Sequence, residues 1–178
     1  MLASAFPAYL RNDALAVLSI LPPPSHSAEP FSVQIRGEAL QIPYRIYHDV
    51  SHIETTRLSP LQCEMLDCLL TRHHDGFVRQ RHLERILPLN HEWVPPFVVQ
   101  LAGEYVVEIL ERILANLAHL DARTYRSFLN ENPQFFAKTK QRMISYWDCY
   151  YRRLDPRWSL HEYPGFRIVA FLENLTRN

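Results

Sequence analysis

The stretch Ser59-Pro60-Leu61-Gln62-Cys63-Glu64-Met65-Leu66-Asp67-Cys68-Leu69-Leu70 decides how this chain folds. Its first four residues are a helix start. The Ser59 hydroxyl is placed to cap free amides, Pro60 has no amide to leave unsatisfied, and Gln62 closes a capping box. Leu61, Met65, Leu66, Leu69 and Leu70 then recur at helical spacing and form one apolar face. This helix is expected to end near Asp75-Gly76. A second helix carrying Phe77, Val78, Leu83, Ile86 and Leu87 follows and stops at Pro88.

Further helices follow downstream. Trp93-Val-Pro-Pro opens a third and longer one, expected to run to about His119. Its polar positions Gln100, Glu104, Glu108 and Glu111 fall within about a quarter turn at 100° per residue. A helix with so narrow a polar stripe is expected at the centre of the domain, unbroken through Gly103. Asp121 caps a short helix through Leu129, and Asn132-Pro133 opens another bearing Phe135, Phe136, Met143, Ile144, Trp147 and Tyr150 or Tyr151. Pro156 is expected to close that segment. Pro164 precedes a last helix with Phe166, Ile168, Val169, Phe171 and Leu172.

Upstream, Leu10, Ala14, Val17, Leu18 and Leu21 mark an amphipathic helix ended by Pro22-Pro23-Pro24. With Arg11 before it and Ser27-Ala28 after it, this run imitates a secretory signal. Asp13 abuts the run, so a docked helix is the expectation. Phe31, Val33 and Ile35 then alternate with polar residues, as do Leu40, Ile42, Tyr44 and Ile46, with Gly37 between the two sets. This is a β-hairpin, and Pro43 assigns its strand to an edge. The fold expected is mostly α. It is a single domain over 1–178, with an N-terminal helix and Pro-rich arm at 1–30, one small β-hairpin at 31–47 and a packed helical array at 59–178.

The segment Asp75-Gly-Phe-Val78-Arg79-Gln-Arg-His-Leu83 resembles the start of the second helix of a HEAT-like repeat, in which an acidic residue precedes Val-Arg. With the Ser59 helix it makes one helical hairpin over residues 59–88. A second copy at Glu104-Tyr-Val-Val107-Glu108 departs from the pattern, because Glu108 stands where arginine belongs. The resemblance implies an irregular array rather than a regular solenoid. The phrases Ile42-Pro-Tyr-Arg-Ile-Tyr, Thr71-Arg-His-His-Asp-Gly-Phe-Val-Arg-Gln-Arg and Pro96-Phe-Val-Val-Gln-Leu-Ala-Gly-Glu-Tyr-Val-Val-Glu-Ile-Leu are similar to an uncharacterised bacterial protein family, which implies no activity and no functional residues.

Composition removes several classes of function. The 178 residues hold 19 basic and 19 acidic side chains and are 47% hydrophobic, which excludes a disordered chain and a globally basic nucleic-acid binder. No apolar run reaches the roughly 18 residues needed to cross a bilayer, so no membrane role is expected. Cys63, Cys68 and Cys149 lack metal or disulfide spacing and are expected to be small buried hydrophobes in a reducing cytoplasm. Neutrality also conceals an asymmetry. Residues 1–120 contain 9 basic and 13 acidic residues, and residues 121–178 contain 10 and 6.

Two groups of side chains carry candidate chemistry. The polar site comprises His73, His74, Asp75, Arg79 and His82 around the first inter-helix turn, with Glu104 and Glu108 from the acidic stripe. Histidine beside aspartate binds metal or moves protons near neutral pH. The same content also suits a polar turn in which Asp75 caps a helix. The carboxylates suit ion pairs with arginine, since the chain has 17 Arg and 2 Lys. The second group is an anion-binding candidate, Lys138, Arg142, Arg152 and Arg153, interleaved with aromatic residues.

No nucleophile elbow, phosphate-binding glycine loop or dinucleotide fingerprint is present. The sequence points to no cofactor and no metal. It favours a non-enzymatic helical module that binds a protein partner or a second copy of itself. The alternatives are nucleic-acid or anion binding through the C-terminal basic–aromatic segment, and a metal-dependent or acid–base enzyme using His73, His74 and Asp75.

Overall fold

The computed structural model describes residues 2–26, 29–153, 157–160 and 162–177. The Ser27-Ala28 site and the Pro156 stop lie outside the described residues. The architecture is mostly α, with one antiparallel two-stranded hairpin near the N-terminus and eight α-helices among the described residues. The chain divides into two compact units, 1–86 and 87–178.

The first unit begins with short 3-10 turns at Leu2–Ala5 and Ala8–Leu10 and then helix α1, Arg11–Ser19. Strands β1 (Pro30–Ile35) and β2 (Glu38–Pro43) pair with Val33 opposite Leu40 and Phe31 opposite Ile42. Period-2 alternation buries Val33, Ile35, Leu40 and Ile42 on one face. The connection is only Arg36-Gly37, and both residues have positive φ, 51° and 77°. Both central residues in the left-handed region define a hairpin turn whose twist matches the strands. Glycine accepts that geometry freely, whereas Arg36 does so at a cost.

Helices α2 (Pro60–Leu70) and α3 (Gly76–Ile86) form the helical hairpin read from the sequence. The capping box is complete: the Gln62 amide donates to the Ser59 hydroxyl at 3.3 Å, and the Ser59 amide donates to the Gln62 side chain at 3.0 Å. Met65, Leu66, Cys68, Leu69 and Leu70 are buried from α2, and Leu83 and Ile86 from α3. Phe77, read with the apolar residues of this helix, is instead 82% exposed.

In the second unit, the expected single helix from 93 to 119 is two helices. α4 spans Pro95–Leu101 and α5 spans Val107–Ala115. The break shows in the main chain. After Leu101 the amides of Gly103 and Glu104 bond three residues back, to Gln100 and Leu101, and Val106 is extended (φ −82°, ψ 104°). Gly103 also sits so close to Thr139 that a Cβ would lie 3.0 Å from the Thr139 carbonyl. The packing of another helix therefore overrides a helical phase that is continuous in sequence.

All seven residues of α4 are buried, so the central position belongs to this short helix. α6 (Ala122–Glu131) is capped by Asp121, which accepts from the Thr124 amide at 2.7 Å. α7 spans Pro133–Tyr150. Asn132 does not cap it. Its side-chain amide instead donates to the Phe128 carbonyl at the end of α6. α8 (Pro164–Arg177) packs against α5, α6 and α7 through Ile168, Val169 and Leu172.

Candidate functional site

The His73 cluster is assembled by the turn between α2 and α3. Main-chain pairing brings the chain after β2 against it. The Ile46 amide donates to the Arg72 carbonyl, and the His74 amide donates to the Ile46 carbonyl, a one-residue parallel bridge between Ile46 and His73. His73 is buried. Its Nε2 donates to the His48 carbonyl at 2.9 Å and its Nδ1 accepts the Asp75 amide at 3.1 Å. Those two bonds specify the neutral Nε2–H form. Burial is the main cause that holds the His73 imidazole below its ordinary pKa, with His74 and Arg79 adding repulsion against the raising effects of the His48 bond and Asp75.

Two arginines complete this latch. Arg72 is 0% exposed and donates to the carbonyls of Pro43 and Tyr44. Arg79 is buried and donates to the carbonyls of both His73 and His74. Asp75 accepts the Phe77 amide at 2.8 Å and so caps α3. His74 is exposed and stacks on Tyr47, with ring centroids 5.3 Å apart. His73, His74, Asp75 and Arg79 are thus together in space, and these hydrogen bonds tie them chiefly to main-chain groups. Among the described residues no group of three or more His, Cys, Asp or Glu is placed to hold a metal.

His82 belongs elsewhere. Its Nδ1 meets Asp67 Oδ1 at 2.5 Å, and Arg85 Nη1 reaches the same oxygen at 3.2 Å. Asp67 on α2 and His82 on α3 border a cavity of about 180 Å3. Val50, Ile53, Leu66, Leu70 and Val78 supply its apolar wall, and Cys63, Arg81 and Arg85 also line it. Sequence reading missed Asp67 and Cys63 here. A signal was available, since Cys63 and Asp67 are four apart on α2 and therefore share a helix face. The expectation of three buried cysteines needs correction: Cys68 is buried, Cys63 is partly exposed and Cys149 is exposed. Burial pushes the Cys68 thiol up and leaves it inert, with Asp67 and Glu64 acting in the same direction.

The acidic stripe is dispersed by the break after α4. Glu104 is buried (1% exposed) in the connection, whereas Glu108 and Glu111 are exposed on α5. Glu108 and Glu111, three apart, share an exposed face of α5, and Glu104 is not on it.

The anion-binding candidates lie on or just after α7. Lys138, Arg142, Tyr146 and Tyr150 follow one another at four-residue spacing, beside the buried row Thr139, Met143 and Trp147. Tyr105, from the α4–α5 connection, meets this stripe. Its ring centroid is 5.7 Å from Tyr146 and 5.9 Å from Tyr150, and Tyr146 and Tyr150 are 6.1 Å apart. Tyr105 is 49% exposed and Tyr150 53%. The Tyr151 hydroxyl donates to the Tyr105 carbonyl and secures the connection. Ile144 and Tyr150, among the apolar and aromatic residues read on this helix, are exposed, so α7 buries a narrower face than its composition suggests. Arg152 is exposed, pairs with Asp148 at 2.8 Å and lies 5.5 Å over the Trp147 ring. Arg153 is exposed.

Among the described residues no helix is long and apolar enough to cross a membrane. No protein-family model, curated protein or solved structure matches this chain.

Proposed function

We propose that the protein is a non-enzymatic helical interaction module whose contact face is the tyrosine cluster Tyr105, Tyr146 and Tyr150. The observation that carries this reading is the exposure of a mutually packed aromatic cluster where the α4–α5 connection meets α7. Tyrosine supplies a large contact area at low entropic cost and dominates interface hot spots. The partner is a protein segment carrying carboxylates, since Lys138 and Arg142 continue the same helical stripe.

Single-stranded nucleic acid is the second reading, and two features weigh against it. The tyrosine rings pack on one another, which leaves fewer free faces for bases to stack on. Division into units also changes the electrostatics. Residues 87–178 hold 11 basic and 10 acidic side chains, so Glu92, Glu104, Glu108 and Glu111 offset most of the basic excess of residues 121–178 inside the same unit.

A photo-crosslinking residue placed at 105 or 150 in the source cell tests the reading. A discrete protein adduct at both positions, absent from a probe at exposed Phe77, is the expected result. Adducts at all three positions alike, or none, refute it. Single-strand binding that weakens linearly in log affinity with log salt supports the nucleic-acid reading instead.

A further inference from the structure

The cavity between α2, α3 and residues 50–55 does not belong to the tyrosine face, and its chemistry is different. Its lining combines apolar side chains with Asp67, Arg81, His82 and Arg85. Asp67 Oδ1 is occupied twice, by His82 Nδ1 and Arg85 Nη1. Nδ1 is therefore committed to Asp67, and among the described residues nothing hydrogen-bonds His82 Nε2. Arg81 lines the same cavity, and among the described residues it has no hydrogen bond, ion pair or ring contact. Arg85 is compensated by Asp67, so Arg81 leaves the cavity with one uncompensated positive charge.

The geometry points to a binding site for a small organic monocarboxylate. Its carboxylate pairs with the Arg81 guanidinium, and its hydrocarbon body lies against the Val50, Leu66 and Val78 wall. Guanidinium and carboxylate match in a two-point fork, which favours this anion over a neutral amide of equal shape. A protein cavity of roughly 150 Å3 accepts benzene, so about 180 Å3 has room for one aromatic ring or a short acyl chain. Asp67 acts as a positioning residue, because it holds His82 and Arg85 in place without facing the anion as a free charge.

Cys63 supplies a built-in reporter. It lines this cavity and is partly exposed, whereas Cys149 is exposed on α7 and Cys68 is buried. The test titrates the full chain with benzoate and hexanoate by calorimetry, with benzamide and hexanamide as neutral matches. In parallel, iodoacetamide labelling of each cysteine is followed by mass spectrometry. We expect saturable binding of at least one carboxylate and about tenfold weaker binding of its amide. Arg81→Ala is expected to weaken the carboxylate about tenfold with an unchanged melting temperature, because Arg81 supports nothing in the fold. Saturating carboxylate is expected to slow labelling of Cys63 and leave Cys149 unchanged. Absence of saturable binding, equal binding of the amide, or unchanged affinity in Arg81→Ala overturns the assignment. Labelling of Cys63 that the ligand does not slow overturns it as well. So does a Cys63 that iodoacetamide never reaches, since the cavity would then exclude a molecule smaller than benzoate.

Discussion

His73 Nε2 donates to the His48 carbonyl at 2.9 Å, and this bond ties the chain beyond the β-hairpin to the turn between two helices. The histidine must stay neutral to keep its other nitrogen an acceptor for the Asp75 amide. Burial lowers its folded pKa below the ordinary 6.5, so the folded state binds fewer protons than the unfolded one. The contribution is complete above about pH 6.5 and is lost as pH falls toward the folded value. Thermal melts between pH 7.5 and 5 are expected to show a falling midpoint, with a smaller fall in His73→Gln. A midpoint with the same pH dependence in both proteins removes His73 as the cause.

The hairpin turn carries a second prediction. Arg36 occupies the left-handed region, where asparagine is favoured. Arg36→Asn is expected to stabilise the protein by about 0.5 kcal/mol, and Gly37→Ala to destabilise it by about 1 kcal/mol. Urea unfolding curves of the two variants should therefore move in opposite directions.

Gly165 opens α8 where there is no room for a side chain. A Cβ there would lie 2.6 Å from Met143 Cγ and 2.7 Å from Tyr163 Cε1. Met143 is fully buried and is met at Cγ rather than at its end, and the Tyr163 ring is buried as well, so neither yields easily. Gly165→Ala is expected to cost about 1–3 kcal/mol, although alanine is the better helix former. An increase in stability would show that the α7–α8 contact is looser than this geometry.

Tyr163 itself is buried, and its hydroxyl has no hydrogen-bond partner among the described residues. Burial, with a smaller effect of Tyr151, pushes its phenol well above the ordinary range. A buried donor without a partner destabilises the fold. Tyr163→Phe is therefore expected to be neutral or to stabilise the protein by up to about 1 kcal/mol, read from the same melts. A loss above that size would reveal a partner for the hydroxyl.

The legible parts of this chain were those governed by local rules. The Ser59 capping box, the Asp121 cap, the Gly37 turn and the alternation of Val33, Ile35, Leu40 and Ile42 each depend on residues within a few positions, and each formed as read. The break after Leu101 was not legible. It depends on Thr139 of α7 closing over Gly103, a contact 36 positions away. The candidate sites divide in the same manner. Asp75 capping α3 follows from neighbouring residues. The Asp67–His82 pair and the meeting of Tyr105 with Tyr146 and Tyr150 require the packing of separate elements. Arg79 was singled out for its charge, and its visible work is to satisfy the carbonyls of a tight turn.

The parallel bridge at Ile46 has a kinetic consequence. The amides of Ile46 and His74 sit in irregular chain, where exchange with solvent deuterium is ordinarily fast. Each is closed by the other segment, so neither opens unless the two separate. A two-stranded hairpin is marginal by itself, and this clasp fastens its tail to a capped helix pair. The two amides are therefore expected to exchange slowly and with one common opening free energy, as a single opening event that frees the tail of the hairpin while α2 and α3 remain folded.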